Sequence, residues 1–146
     1  MAIGKSYALR PDDYEAIAQN LLDTLYGYKD GFDVLFKPTK ASAVPFRPTE
    51  IEALSYFVEG VIPENTGFAL MPWKAVRFDN NASPRGCSFD EDSATCMGEY
   101  YFTDHHDDVT KVEYTFQYKK GSAGDVKIVT HHSSFPYKAA GGPFIP

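Results

Sequence analysis

The chain has 146 residues, the size of one domain with one core, and its 43% apolar and 23% charged residues are ordinary for a folded protein. A formal charge of −6 without a Lys/Arg run argues against a nucleic-acid surface, which needs clustered cations to neutralise phosphates. No stretch of about 18 or more apolar residues is present, so nothing in it reads as a membrane-spanning helix.

The first predicted element is a helix. Tyr14, Ile17, Ala18, Leu21, Leu22 and Leu25 repeat at i, i+3, i+4 and i+7, which gives one buried face. Asp12 or Asp13 can cap it, and Gly27 with Lys29-Asp30-Gly31 ends it. A short apolar run, Asp33 to Lys37, is halted by Pro38. Thr49-Glu50-Ile51-Glu52 then has the form of a capping box and starts a second helix that runs to about Gly60.

Beyond it the pattern changes to strands: Phe68 to Phe78, interrupted by Pro72, then Ala94 to Thr103, Val109 to Lys119 and Val126 to Phe135. Helices followed by consecutive antiparallel strands is an α+β order. Cys87 and Cys96 flank the turn-forming Asp90-Glu91-Asp92-Ser93. A hairpin there sets 89 opposite 94, 88 opposite 95 and 87 opposite 96. That register allows a cross-strand disulfide; two reduced core thiols fit the sequence equally. Lys138 to Pro146, rich in Ala, Gly and Pro, reads as a tail or linker, leaving 1–137 as the domain.

Alternation assigns faces within the last two strands. Val112, Tyr114, Phe116 and Tyr118 share the apolar side. Counting from Val126 puts Ile128, Thr130, His132 and Ser134 on one face, and Lys127, Val129, His131 and Ser133 on the other. On this count His132 and Ser134 are expected to face inward, ending an apolar surface in polar groups, the mark of a pocket. Adjacent His131 and His132 point to opposite faces and cannot readily hold one metal ion; His105 and His106 lie in an acidic turn. His132 and Ser134, about 7 Å apart along a strand, are too distant for an unaided Ser-His couple, and no Gly-x-Ser-x-Gly accompanies them.

Several segments occur in order: Val34-Leu35-Phe36-Lys37-Pro38-Thr39, Phe46-Arg47-Pro48-Thr49, Ala53-Leu54-Ser55-Tyr56-Phe57, Gly98-Glu99-Tyr100-Tyr101-Phe102, Val112-Glu113-Tyr114-Thr115-Phe116 and His131-His132-Ser133-Ser134. Together they make the chain resemble, over nearly its whole length, the iota-class carbonic anhydrases of algae and bacteria. The resemblance implies an α+β cone similar to nuclear transport factor 2, with N-terminal helices packed in the concavity of a curved antiparallel sheet, often as a homodimer. It implies reversible hydration of CO2 to bicarbonate, with CO2, bicarbonate and water as partners; the class has both metal-dependent and metal-free members, and similarity to the algal and cyanobacterial type implies no metal or other cofactor. The site it implies comprises Thr39, Tyr56, His132 and Ser134, with Tyr114 also against substrate. By the same resemblance the chain is expected to be a module of a longer precursor, in a chloroplast or an extracytoplasmic compartment; its N-terminal residues contain no apolar segment of signal-peptide length.

Tyr56 falls off the Ile51, Leu54, Val58 stripe of an ideal helix, so it either enters a cavity or faces solvent. Without metal, hydroxyl donors must stabilise the charge that grows on bicarbonate oxygens, and a His can relay a proton. Two other classes fit the fold: a non-catalytic association or ligand-binding module, and an isomerase or dehydratase. The latter wants an inward carboxylate, for which Asp33 is the nearest candidate.

Overall fold

The computed structural model describes residues 3–4, 13–79 and 86–138. Two helices, α1 (Tyr14–Leu25) and α2 (Glu50–Val58), pack against a six-stranded sheet of β1 (Leu35–Lys37), β2 (Ala75–Asp79), β3 (Cys87–Phe89), β4 (Ser93–Thr103), β5 (Val109–Lys120) and β6 (Val126–Ser134). The strand order is β1-β6-β5-β4-β2, with β3 also paired to β4. All neighbours are antiparallel except β1 and β6, so the sheet is mixed where a purely antiparallel one was expected. This α+β arrangement is the expected one, with one reassignment. The apolar run from Phe68 begins as a single 3₁₀ turn, Phe68–Leu70, and the strand starts only at Ala75, beyond Pro72.

Local chemistry explains the helices. Asp13 occupies the N-cap position of α1, and Asp12 lies outside the described residues. At α2 the Thr49 backbone N–H donates to Glu52 Oε2 at 3.0 Å and the Thr49 side chain accepts from the Glu52 backbone N–H, which closes the expected capping box. Buried Leu22 and Tyr26 from the α1 end, Val34 and Phe36, and Ala53 and Tyr56 of α2 form one core cluster. Tyr100, Val112, Tyr114 and Phe116 form a second on the sheet, and Ile128 packs against both. The β3–β4 register is the predicted one, Cys87 opposite Cys96, and a disulfide joins the pair. Of the expected tail only Lys138 is among the described residues.

The closing strand departs from simple alternation, and this repositions the site. Tyr118 pairs with Ile128, but the next residue of β5, Gln117, pairs with Thr130. Val129 is therefore an extra residue without a partner on β5, a β-bulge. One inserted residue inverts every side chain beyond it. His131 lies opposite Phe116 and Ser133 opposite Tyr114, on the inner face, and both are buried. The expectation that His132 and Ser134 face inward is corrected: His132 is exposed and Ser134 half-buried, on the outer face.

Candidate active site

Between α2, the β1 end and the inner face of the sheet lies a cavity of about 190 Å³. Its walls are mostly aromatic (Phe57, Phe68, Phe78, Phe102 and Phe116), and its polar groups are Thr39, Tyr56, Tyr100, His131 and Ser133. Thr39 follows Pro38 at the end of β1, where the proline stops the strand and turns the chain over the cavity. Tyr56 is 5% exposed and lines the cavity, whereas Ile51 of the expected apolar stripe is 59% exposed. Val58 of that stripe is buried as expected, and the other buried residues of α2 are Ala53, Ser55 and Tyr56.

The loop after Thr39 is held firmly. Glu64 accepts backbone N–H bonds from Ser42, Ala43 and Val44 at 2.9, 3.0 and 2.8 Å, which holds its carboxyl well below the usual range, at about 2. Arg47, fully buried, donates to Asn65 Oδ1 at 3.1 Å, and Asn65 Nδ2 donates to Ser55 Oγ of α2 at 3.0 Å. These bonds tie the loop carrying Thr39 to the helix carrying Tyr56.

His131 sits at the floor. Its ring is stacked between Phe36 and Phe116, with centroids 4.7 and 4.2 Å away, because the three residues are direct neighbours across β1, β6 and β5. Nδ1 is 2.7 Å from the Tyr26 hydroxyl, and Nε2 is 2.8 Å from Ser133 Oγ. Ser133 Oγ also makes a short hydrogen bond with the Tyr100 hydroxyl. Burial away from water, with a smaller contribution from neighbouring His132, pulls the His131 pKa down to about 3, so the imidazole is neutral near pH 7. Burial pushes the Tyr100 phenol up to about 12, partly offset by its bonds to Ser133 and Thr39; Tyr56 is raised for the same reason and offset by the Lys40 backbone and Thr39. The site is thus a set of neutral hydroxyl donors around an uncharged imidazole. Among the described residues no carboxylate lines it, and Asp33 is exposed.

Of the residues read from sequence, Thr39 and Tyr56 line this cavity; His132, Ser134 and Tyr114 do not. Tyr114 points inward but packs flat against Tyr100, with centroids 5.1 Å apart. Together with His132 and Ser134 it borders a different groove of about 500 Å³, shared with Asp79, Met97, Glu99 and Glu113. Sequence reasoning missed Tyr100, His131 and Ser133. Tyr100 alternates in step with Cys96 and Gly98, which identifies its face; the histidine and serine were lost to the bulge.

The family model for metal-independent carbonic anhydrase matches residues 1–135. This chain belongs to that family. A curated member, the metal-independent carbonic anhydrase of Nostoc sp. (strain PCC 7120), is 42% identical over 127 residues, 85% of this chain; the match spans 60% of the relative's length. The crystal structure of a cyanobacterial iota-carbonic anhydrase complexed with bicarbonate superposes with a TM-score of 0.85 at 40% identity, over 94% of this chain and 83% of that one. An NTF2-like superfamily protein from Salmonella enterica serovar Typhimurium, 11% identical with a TM-score of 0.55 over 97% of this chain and 96% of that one, shares the fold alone. Among the described residues of this family member, no group of three or more His, Cys, Asp or Glu is arranged to hold a metal ion.

Proposed function

We propose that this chain catalyses the reversible hydration of CO2 to bicarbonate in the cavity floored by His131, without a metal. The observation that carries the reading is the convergence of four hydroxyls, from Thr39, Tyr56, Tyr100 and Ser133, on one small aromatic-walled space. CO2 has no net dipole and suits walls of Phe78, Phe102 and Phe116. As water oxygen bonds to carbon, charge builds on the two CO2 oxygens, and the proton the water gives up passes to bulk water or buffer, so that CO2 and water become bicarbonate and a solvated proton. Hydroxyl donors already fixed in an aromatic-walled site stabilise that charge with little reorganisation. His131, with its depressed pKa, is a poor proton store at neutral pH and serves to fix Ser133. His131 takes the place expected of His132 without its proton-relay role, and Ser133 takes the donor role expected of Ser134.

The test is stopped-flow CO2 hydration by the whole chain with and without a strong chelator. The proposal expects the same turnover in both arms. Activity that disappears with chelator and returns with a divalent cation contradicts metal independence, and no turnover in either arm favours a non-catalytic binding module.

We also propose that the chain pairs as a homodimer; Met97, 56% exposed beside the outer groove, supports this, and light scattering tests it. The Cys87–Cys96 bond supports an oxidising, extracytoplasmic setting, which thiol trapping in the source cells checks.

A further inference from the structure

Tyr26 stands outside the cavity yet touches its histidine. It caps the C-terminal end of α1, and its backbone bridges to Ile128, three residues before His131. Its ring packs on Phe36 and Phe57, with centroids 5.7 and 6.4 Å away, and is 5% exposed. Among the described residues the hydrogen-bond partner of its hydroxyl is His131 Nδ1, at 2.7 Å.

A neutral imidazole carries one proton, and two arrangements are open. With the proton on Nδ1, it would point at the Tyr26 oxygen, and the phenol's own proton would be buried without an acceptor. A buried donor left without an acceptor makes this the disfavoured arrangement. With the proton on Nε2, every group is satisfied: the Tyr26 O–H donates to Nδ1, and Nε2–H donates to Ser133 Oγ at 2.8 Å, in preference to the Tyr100 oxygen at 3.4 Å. Burial raises the Tyr26 pKa well above 10.0, so the phenol keeps its proton to donate.

We propose that Tyr26 is a positioning residue that locks His131 in the Nε2–H tautomer and so makes Ser133 a hydrogen-bond donor toward the cavity. With Nε2–H on a lone pair of Oγ, Ser133 cannot pass its proton to the imidazole. Its O–H is directed to Tyr100 or to an oxygen in the cavity. His131 is then no base toward Ser133, and a Ser-His nucleophilic couple does not operate. This inference rests on the hydratase reading for its consequence in catalysis, but the tautomer stands apart from it.

The test is long-range ¹H–¹⁵N correlation of the imidazoles in ¹⁵N-labelled protein, wild type and Tyr26→Phe, with CO2 hydration of both. In the wild type, His131 is expected to show a protonated Nε2 and a bare Nδ1. Tyr26→Phe keeps the ring, and is expected to shift the proton wholly or partly to Nδ1 and lower kcat by about tenfold. A purely packing role for Tyr26 would leave the tautomer unchanged. A wild-type proton on Nδ1, or an unaltered tautomer in Tyr26→Phe, overturns the proposal; the wild-type spectrum decides even if the variant does not fold. If the tautomer behaves as expected and no protein hydrates CO2, the function reading fails and the tautomer assignment holds.

Discussion

Phe116 and His131 face each other across β5 and β6 with their rings 4.2 Å apart, and this pairing sets the orientation of everything at the end of the closing strand. It holds His131 over the sheet and, two residues on, delivers Ser133 to the cavity floor. The stack is possible only because Val129 is skipped in the pairing.

The hydroxyls opposite Ser133 offer the first prediction. Thr39→Val and Tyr56→Phe each remove one donor while nearly conserving volume. Each is expected to lower kcat for CO2 hydration by about 10²-fold with the thermal midpoint little changed. Because both hydroxyls belong to one network, the double variant should lose less than the product of the two. Strict multiplicativity, measured by stopped flow, would separate them into independent groups.

Acid sensitivity follows from His131. Its folded pKa, about 3, lies below the ordinary 6.5, so between those values the unfolded chain binds the extra proton. Stability must then be complete above about pH 6.5 and fall as pH drops toward 3, by at most about 1.4 kcal/mol per pH unit from this group. Urea denaturation from pH 7 to 4 should show that slope in the wild type and a shallower one in His131→Asn. Equal slopes would mean that His131 does not carry the effect.

The disulfide is expected to serve stability and not chemistry, since neither cysteine lines the cavity. Replacing both Cys87 and Cys96 by serine should cost about 2–3 kcal/mol in urea denaturation, from the short loop they close. Turnover of the folded fraction should stay within about twofold, a change of less than 0.5 kcal/mol in the barrier. A tenfold loss of turnover would tie the β3–β4 hairpin to the site.

Much of this molecule was legible in its sequence because the relevant signals are local. The helical repeat of Tyr14 to Leu25, the Thr49/Glu52 box and the Cys87/Cys96 register are each set by residues within a few positions of one another. Thr39 and Tyr56 were legible through the ordered family motifs and not through periodicity, which left Tyr56 off its helix's apolar stripe. The face of His131 and Ser133 was not legible, because alternation presumes unbroken pairing and a bulge depends on the partner strand. One trace of it existed: Val129 sat on the supposedly polar face with Lys127 and His131, and it is 4% exposed. Tyr26 was missed for a related reason. Its bond to His131 joins residues 105 positions apart, which no local pattern encodes.

In the proposed reaction the first serine of the pair, Ser133, and not Ser134, faces the reacting CO2. Stopped-flow hydration by Ser133→Ala and Ser134→Ala, both shown to fold by circular dichroism, tests it directly. A loss of about 10²-fold in kcat is expected for Ser133→Ala and a change within about twofold for Ser134→Ala. Near-normal turnover in Ser133→Ala, or the larger loss in Ser134→Ala, would contradict it.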